Sequence, residues 1–315
     1  MTTLNQFRVI ILALLLGVVP LVGCSSEPQT SPSQTTTSTE ASKSAQSTET
    51  SLQVAVSIPP QKYFVEHVGG EYVDVEVMLP PGASPATYKP KPQQLRNLDN
   101  TEAYMRIHVP FENAWIDRFR AANQDMTIVD LTKGIDRMPM AGKPNQGKEV
   151  ANPDPHIWLS PPLVKQQART IYEALVQLDP EHKQAYQANL ESFLAEIEKL
   201  DSEIEQTLSG FESRTFMTFH PAWGYFARAY NLEMIPIEVG GSEPSATELS
   251  RLIERAKAKN IEVIFAQPQF SKDDAKTIAN EIGGEVLLIN PVAYEWEKNL
   301  REVANTFEEV LGDGG

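Results

Sequence analysis

Between Glu181 and Ser209 the chain keeps apolar Leu190, Leu194, Ile197, Leu200 and Ile204 at mixed three- and four-residue spacings, the signature of one amphipathic helix. At about 1.5 Å per residue, such a run of about 29 residues reaches roughly 43 Å, long enough to cross two domains as a single strut. Pro162 to Leu178 is a second amphipathic stretch, and Asp179-Pro180 separates the two. Whatever flanks these helices must therefore be arranged around a long rigid element.

The flanks alternate β-rich runs with helical patterns. Before the helices, strands are expected at Gln53 to Ile58, Val73 to Leu79, Ala103 to Ile107 and Thr127 to Leu131, with helices from about Pro60 to Val68, Lys91 to Leu98 and Glu112 to Ala122. After them, strands at Thr215 to Phe219, Glu233 to Val239, Val263 to Ala266 and Val286 to Ile289 alternate with helices near Ala222 to Tyr230, Ala246 to Lys259, Lys272 to Ile282 and Glu295 to Leu311. The expected fold is α/β: two β/α lobes with mostly parallel sheets, similar in plan, joined by one long rigid helix.

The beginning of the chain reads differently. Arg8 precedes an apolar run from Val9 to Val22, short for a membrane span and closed by Leu21-Val22-Gly23-Cys24, which resembles a bacterial lipobox. The expectation is a lipoprotein signal peptide over residues 1–24, cleaved before Cys24, with lipid on that thiol. Residues 25–51 are almost all Ser, Thr, Gln, Ala and Glu and cannot offset chain entropy by burial, so they are expected to be a disordered tether. The remaining boundaries are 52–160 for the N-terminal lobe, 161–210 for the linking helices and 211–315 for the C-terminal lobe.

Cys24 is the one cysteine, so no disulfide is available once it carries lipid, and a metal site would have to do without thiolates. With 27 basic against 42 acidic residues, the formal charge of −15 argues against nucleic acid and against an anionic lipid surface.

In parallel sheets, ligands bind outside the carboxyl ends of the strands. The loops there are PPGASPATYKPKP, HVPFE and FHPAWGYF, with NPDPHIWLSPP ahead of the linking helices. Of five histidines, His67 and His182 fall within helical patterns and are read as surface or capping residues. His108, His156 and His220 fall in the loops, the latter two between prolines and aromatic residues that would fix their rings. Each alone reads as a hydrogen-bonded core residue; three meeting in one cleft would bind a transition metal.

Taken in order, the lipobox, PPGASPATYKP, DPHIWLSPP, the long helix, TFHPAWGYFARAYNL, GGSEPSATEL and FAQPQFS resemble the metal-binding lipoproteins that feed zinc and manganese ABC importers, over residues 52 to 311. That resemblance implies an exported, monomeric solute-binding protein, not an enzyme, with a metal held between the lobes by three histidines plus a carboxylate or water and passed to an ABC permease. It also implies anchorage by lipid at the outer face of the cytoplasmic membrane or in the periplasm. Carried over position by position, the second and third family histidines are His156 and His220. The first falls on Ala86, the late aspartate is Asn290, and Gln267 stands where zinc-binding relatives often have glutamate. His108, where relatives commonly have a small residue such as glycine, is the candidate replacement for the ligand lost at Ala86, leaving Gln267 and Asn290 as weak oxygen donors.

A nitrogen-only set favours zinc, with manganese, which prefers carboxylates, second. The histidine-rich loop that zinc-binding members often carry before the second ligand is absent from KGIDRMPMAGKPNQGKEVANPDP. Two alternatives remain: a degenerate site serving another ligand or adhesion, and a metallohydrolase using Glu112 of HVPFE as general base.

Overall fold

The computed structural model describes residues 51–142, 153–239, 241–270 and 272–312. The signal peptide, Cys24 and all but the last residue of the tether lie outside the described residues.

The first lobe is a parallel sheet of β1 (Leu52–Val56), β2 (Val73–Val77), β3 (Ala103–Arg106) and β4 (Thr127–Asp130), in the order β2-β1-β3-β4. Its crossovers carry α1 (Pro59–Gly69), α2 (Pro92–Asn97) and α3 (Pro110–Ala122). The second lobe repeats the plan: β5 (Thr215–Thr218), β6 (Glu233–Pro236), β7 (Val263–Ala266) and β8 (Glu285–Leu288) pair in parallel in the order β6-β5-β7-β8. Here the connecting helices are α6 (Gly224–Ala229), α7 (Ala246–Ala258) and α8 (Asp273–Ile282), and α9 (Trp296–Leu311) closes the lobe.

Central strands are apolar on both faces because helices cover both. Val54, Ala55 and Val56 of β1 and all four residues of β7 are buried. Two strands end in register before their apolar runs do: Met78, Leu79 and Ile237 remain buried past the last paired residues of β2 and β6, their N–H groups still donating to the carbonyls of Val56, Ser57 and Thr218. An apolar run records burial, and burial outlasts paired register where a strand feeds a loop packed under the cleft.

Both sheets switch direction at the same place. The chain leaves β1 toward β2 and returns on the other side as β3, and likewise leaves β5 toward β6 and returns as β7. The crevice at such a switch point receives ligands. His108 follows β3 by two residues, His220 follows β5 by two and Gln267 follows β7 directly.

Between the lobes run α4 (Pro161–Leu178) and α5 (Lys183–Thr207). The long helix has 25 residues, about 38 Å at 1.5 Å per residue. It starts two residues later than its periodicity suggests because Pro180–His182 forms a 3-10 turn. The Asp179 carboxylate draws that turn together, accepting hydrogen bonds from His182 Nδ1 and Tyr186 Oη, each at 2.6 Å. The buried face of α5, with Tyr186, Leu190, Phe193, Ile197, Leu200 and Ile204, packs on α4 and on α1 of the first lobe and α9 of the second.

One hydrophobic core consequently runs through both lobes, from Val54 and Phe64 to Phe216 and Phe307, while a smaller cluster around Met217, Ile235, Ile264 and Ile278 lies within the second lobe. Indole hydrogen bonds stitch the seam: Trp158 Nε1 donates to the Pro291 carbonyl at 2.6 Å, and Trp296 Nε1 to the Trp158 carbonyl at 2.7 Å. Opening the lobes like jaws would tear this shared core. Small-angle scattering of metal-free and zinc-loaded protein is therefore expected to give superimposable profiles, and a large contraction on loading would show that the shared core does not hold the lobes.

Candidate metal centre between the lobes

The four loops singled out in the sequence meet at one cavity of about 390 Å³. Its wall includes Ala86 from the first, His108 from the second, His156 from the stretch ahead of α4 and His220 from the loop after β5. His67 and His182 lie elsewhere, stacked on Tyr63 and Tyr72 respectively.

His156 and His220 face each other with Nε2 atoms 3.4 Å apart. Each ring is aimed by a carboxylate behind it. His156 Nδ1 lies 2.7 Å from Asp154 Oδ1, and His220 Nδ1 lies 2.5 Å from Glu238 Oε2. A carboxylate accepts, so Nδ1 carries the proton in both rings and each neutral Nε2 presents a lone pair to the other. Two lone pairs at that distance repel unless a cation stands between them. A proton is disfavoured at His220, since burial holds its pKa below the ordinary value and the His156 charge adds to this, while Glu238 opposes.

The supports are themselves fixed. Asp154 is 1 % exposed, also accepts the His156 backbone N–H at 2.9 Å, and its carbonyl accepts from Tyr225 Oη at 3.0 Å. A Cβ on Gly224 would sit 3.3 Å from Asp154 Oδ2, so glycine at the start of α6 gives that carboxylate room. On the other lobe, Gln267 Oε1 accepts the His220 N–H, while its Nε2 donates to Thr218 Oγ1 and the His220 carbonyl, at 3.0 to 3.1 Å. Phe270 stacks on the His220 ring with centroids 4.7 Å apart.

Gln267 thus spends its whole amide on the His220 loop. Asn290 is also committed, its Oδ1 accepting from Gln269 Nε2 and the Val292 N–H.

His108 shares the cavity wall, but its ring points to a different partner: Nε2 donates to Asp130 Oδ2 at 2.9 Å. Burial pushes the Asp130 carboxyl up, and hydrogen bonds from His108 and Thr132 outweigh it, holding the group well below the usual carboxylate range. The His108 backbone is left-handed, with φ of 66°, a conformation that favours glycine and costs about 1–3 kcal/mol for other residues. Glu112 holds it there. That carboxylate, fully buried, accepts from the Ile107 and His108 N–H groups, Ser57 Oγ and Arg106 Nε at 2.7 to 3.1 Å, while Asn113 Nδ2 donates to the His108 carbonyl. With these donors surrounding it beneath the loop and no place in the cavity wall, Glu112 is not available as a general base, and the hydrolase alternative loses its key residue.

Among the described residues, no three His, Cys, Asp or Glu side chains gather into a group able to hold a metal ion. Gln269, on the same cavity wall, keeps its Oε1 buried and without a hydrogen-bond partner. Sequence reasoning missed Asp154, Glu238 and Asp130. Asp154 was open to inspection two residues before His156 in the DPH triplet; Glu238 and Asp130 meet their histidines across neighbouring strand ends.

The chain is similar along most of its length to known metal-uptake proteins. It is 46 % identical to a solved ZnuA structure, with a TM-score of 0.78 over 83 % of this chain and 99 % of that one. The high-affinity zinc uptake system protein ZnuA of Bacillus subtilis is 28 % identical over 260 residues, covering 78 % of this chain and 80 % of the relative. The manganese-binding lipoprotein MntA of Halalkalibacterium halodurans is 25 % identical over 239 residues, covering 75 % and 77 %. The profile described as zinc-uptake complex component A periplasmic matches residues 54–310, and the chain belongs to that ZnuA family.

Proposed function

We propose that this protein is an extracytoplasmic solute-binding lipoprotein that captures a divalent transition metal, zinc before manganese, between its lobes and delivers it to an ABC permease. The observation that carries the reading is the facing pair of imidazoles. Two nitrogens bound to one tetrahedral zinc at about 2.0–2.1 Å stand roughly 3.4 Å apart, the separation of His156 Nε2 and His220 Nε2. Zinc accepts such a nitrogen-rich start to its shell, whereas manganese prefers oxygen donors.

His108 completes a three-histidine set only by leaving Asp130. That exchange gives up a charge-assisted hydrogen bond, about 1.5–3 kcal/mol. Zinc titration of the chain from Leu52 onward is expected to show one ion per molecule, displaced poorly by manganese; no zinc retained either alone or in the presence of a small-molecule ligand would sink the reading. In the same titration His108→Ala is expected to change zinc affinity less than about threefold, under 1 kcal/mol. A loss as large as that of His156→Ala would instead make His108 a ligand that swings off Asp130 on loading.

Among the described residues no helix is long and apolar enough to cross a membrane. The proposed attachment is lipid on Cys24, the cysteine that closes the lipobox-like Leu21-Val22-Gly23-Cys24. Cys24→Ser is expected to abolish incorporation of labelled fatty acid while leaving the folded body's zinc titration unchanged. Labelling that survives the substitution would remove the lipid anchor from this proposal.

A further inference from the structure

We propose that the cleft takes its metal as a complex with a small carboxylate chelator, which supplies the donors this chain lacks and is held by Arg137; the inference rests on His156 and His220 as the metal-holding pair. Three observations converge on it.

The first is the shortage of donors. Ala86 has none, the Gln267 amide and the Asn290 Oδ1 are spent on neighbouring groups, and His108 Nε2 is taken by Asp130, which leaves Gln269 Oε1, among the described residues, as the single unpartnered side-chain oxygen buried at the wall. A divalent ion on two imidazoles needs at least two further ligand atoms.

The second is room. The cavity, about 390 Å³, falls in the range of about 300–1,000 Å³ that houses small organic ligands, far beyond an ion with two waters at about 30 Å³ each. Its wall is largely apolar, with Pro85, Val109, Met140, Trp158, Phe270 and Val292. Such surfaces offer nothing to a hydrated ion but do contact the carbon skeleton of a chelator.

The third is charge. Arg137 lines this same cavity, half-buried, and forms no ion pair or hydrogen bond among the described residues. A guanidinium at the cavity wall repels a bare cation. It attracts a carboxylate and fits one with two parallel hydrogen bonds, so a metal arriving with a carboxylate ligand turns that residue from a cost into a contact. An α-hydroxy- or α-aminocarboxylate meets all three demands: a five-membered chelate fills two positions on the metal, and a further carboxylate oxygen reaches toward the arginine.

The test is equilibrium dialysis of the chain from Leu52 onward with labelled citrate and, separately, labelled L-histidine, each with and without one equivalent of zinc, the zinc being measured in every chamber. The expected result is one equivalent of citrate or L-histidine retained only when zinc is present, lost in His156→Ala, and weakened about 10- to 100-fold in Arg137→Ala, whose zinc retention in chelator-free buffer stays within about threefold of the parent. Zinc retained while neither chelator is held overturns the inference and leaves the metal-capture reading standing. Chelator held equally without zinc, or unchanged retention in Arg137→Ala, also overturns it. Failure to retain zinc in any chamber sinks metal capture itself, a result distinct from the others. Zinc retained only with chelator supports the inference in its strongest form.

Discussion

His156→Ala and His220→Ala are each expected to lower zinc affinity about a thousandfold or more, some 4 kcal/mol, and the double substitution to cost little beyond either single one. The reason lies in the geometry of the pair. Each ring is pre-aimed by a carboxylate, so no rotamer entropy remains to be lost on binding, and the two nitrogens already stand at the spacing of one tetrahedral ion. Removal of one leaves a single imidazole, which holds zinc no better than a surface histidine. The supporting carboxylates act through the rings, and Asp154→Asn or Glu238→Gln is expected to cost about 10- to 100-fold, with His67→Ala and His182→Ala unchanged. Competitive titration against a fluorescent zinc chelator reads all seven variants. Additive losses from the two histidines, or equal effects at His67, would mean that the facing pair does not share an ion.

Glu112→Ala is expected to be the most destabilising of these single changes and to spare the metal. Its carboxylate is fully buried and satisfies Ser57, Arg106 and the N–H groups of Ile107 and His108. Burial pushes its pKa up and those four partners pull it down. Deletion leaves a guanidinium without its buried counter-charge and two orphaned backbone donors, a loss of about 3–5 kcal/mol. Urea unfolding should show a lower midpoint at unchanged slope, while zinc affinity of the folded protein stays within a few-fold. A stable variant with collapsed zinc binding would place Glu112 in the site rather than under it.

The two-lobe plan was legible because period is a local property. Alternation of apolar strands with helical repeats reports which residues are buried, and the order in which the repeats come leaves few topologies open. His156 and His220 were legible for a related reason: proline and aromatic neighbours mark stiff loops, and loops at the carboxyl ends of parallel strands are where ligands bind. The ends of strands were less legible, since Met78, Leu79 and Ile237 stay buried after paired register stops. The start of the long helix shifted because an Asp179 side chain reorganised the turn before it.

By itself, then, the sequence determined the fold class, the rigid connection and which loops line the cavity between the lobes. Only the tertiary structure decided where each ring points. His108 turns to Asp130, 22 residues away, because β3 and β4 pair with Arg106 beside Asp130 and bring that carboxylate to the mouth of the neighbouring loop. His220 finds Glu238 because β5 and β6 end side by side, and the Nε2 spacing between His156 and His220 depends on two lobes fixed against one shared core. Periodicity carries no information about such partners, since a hydrogen bond between distant residues is set by strand register and lobe placement, which emerge only when the whole core has packed.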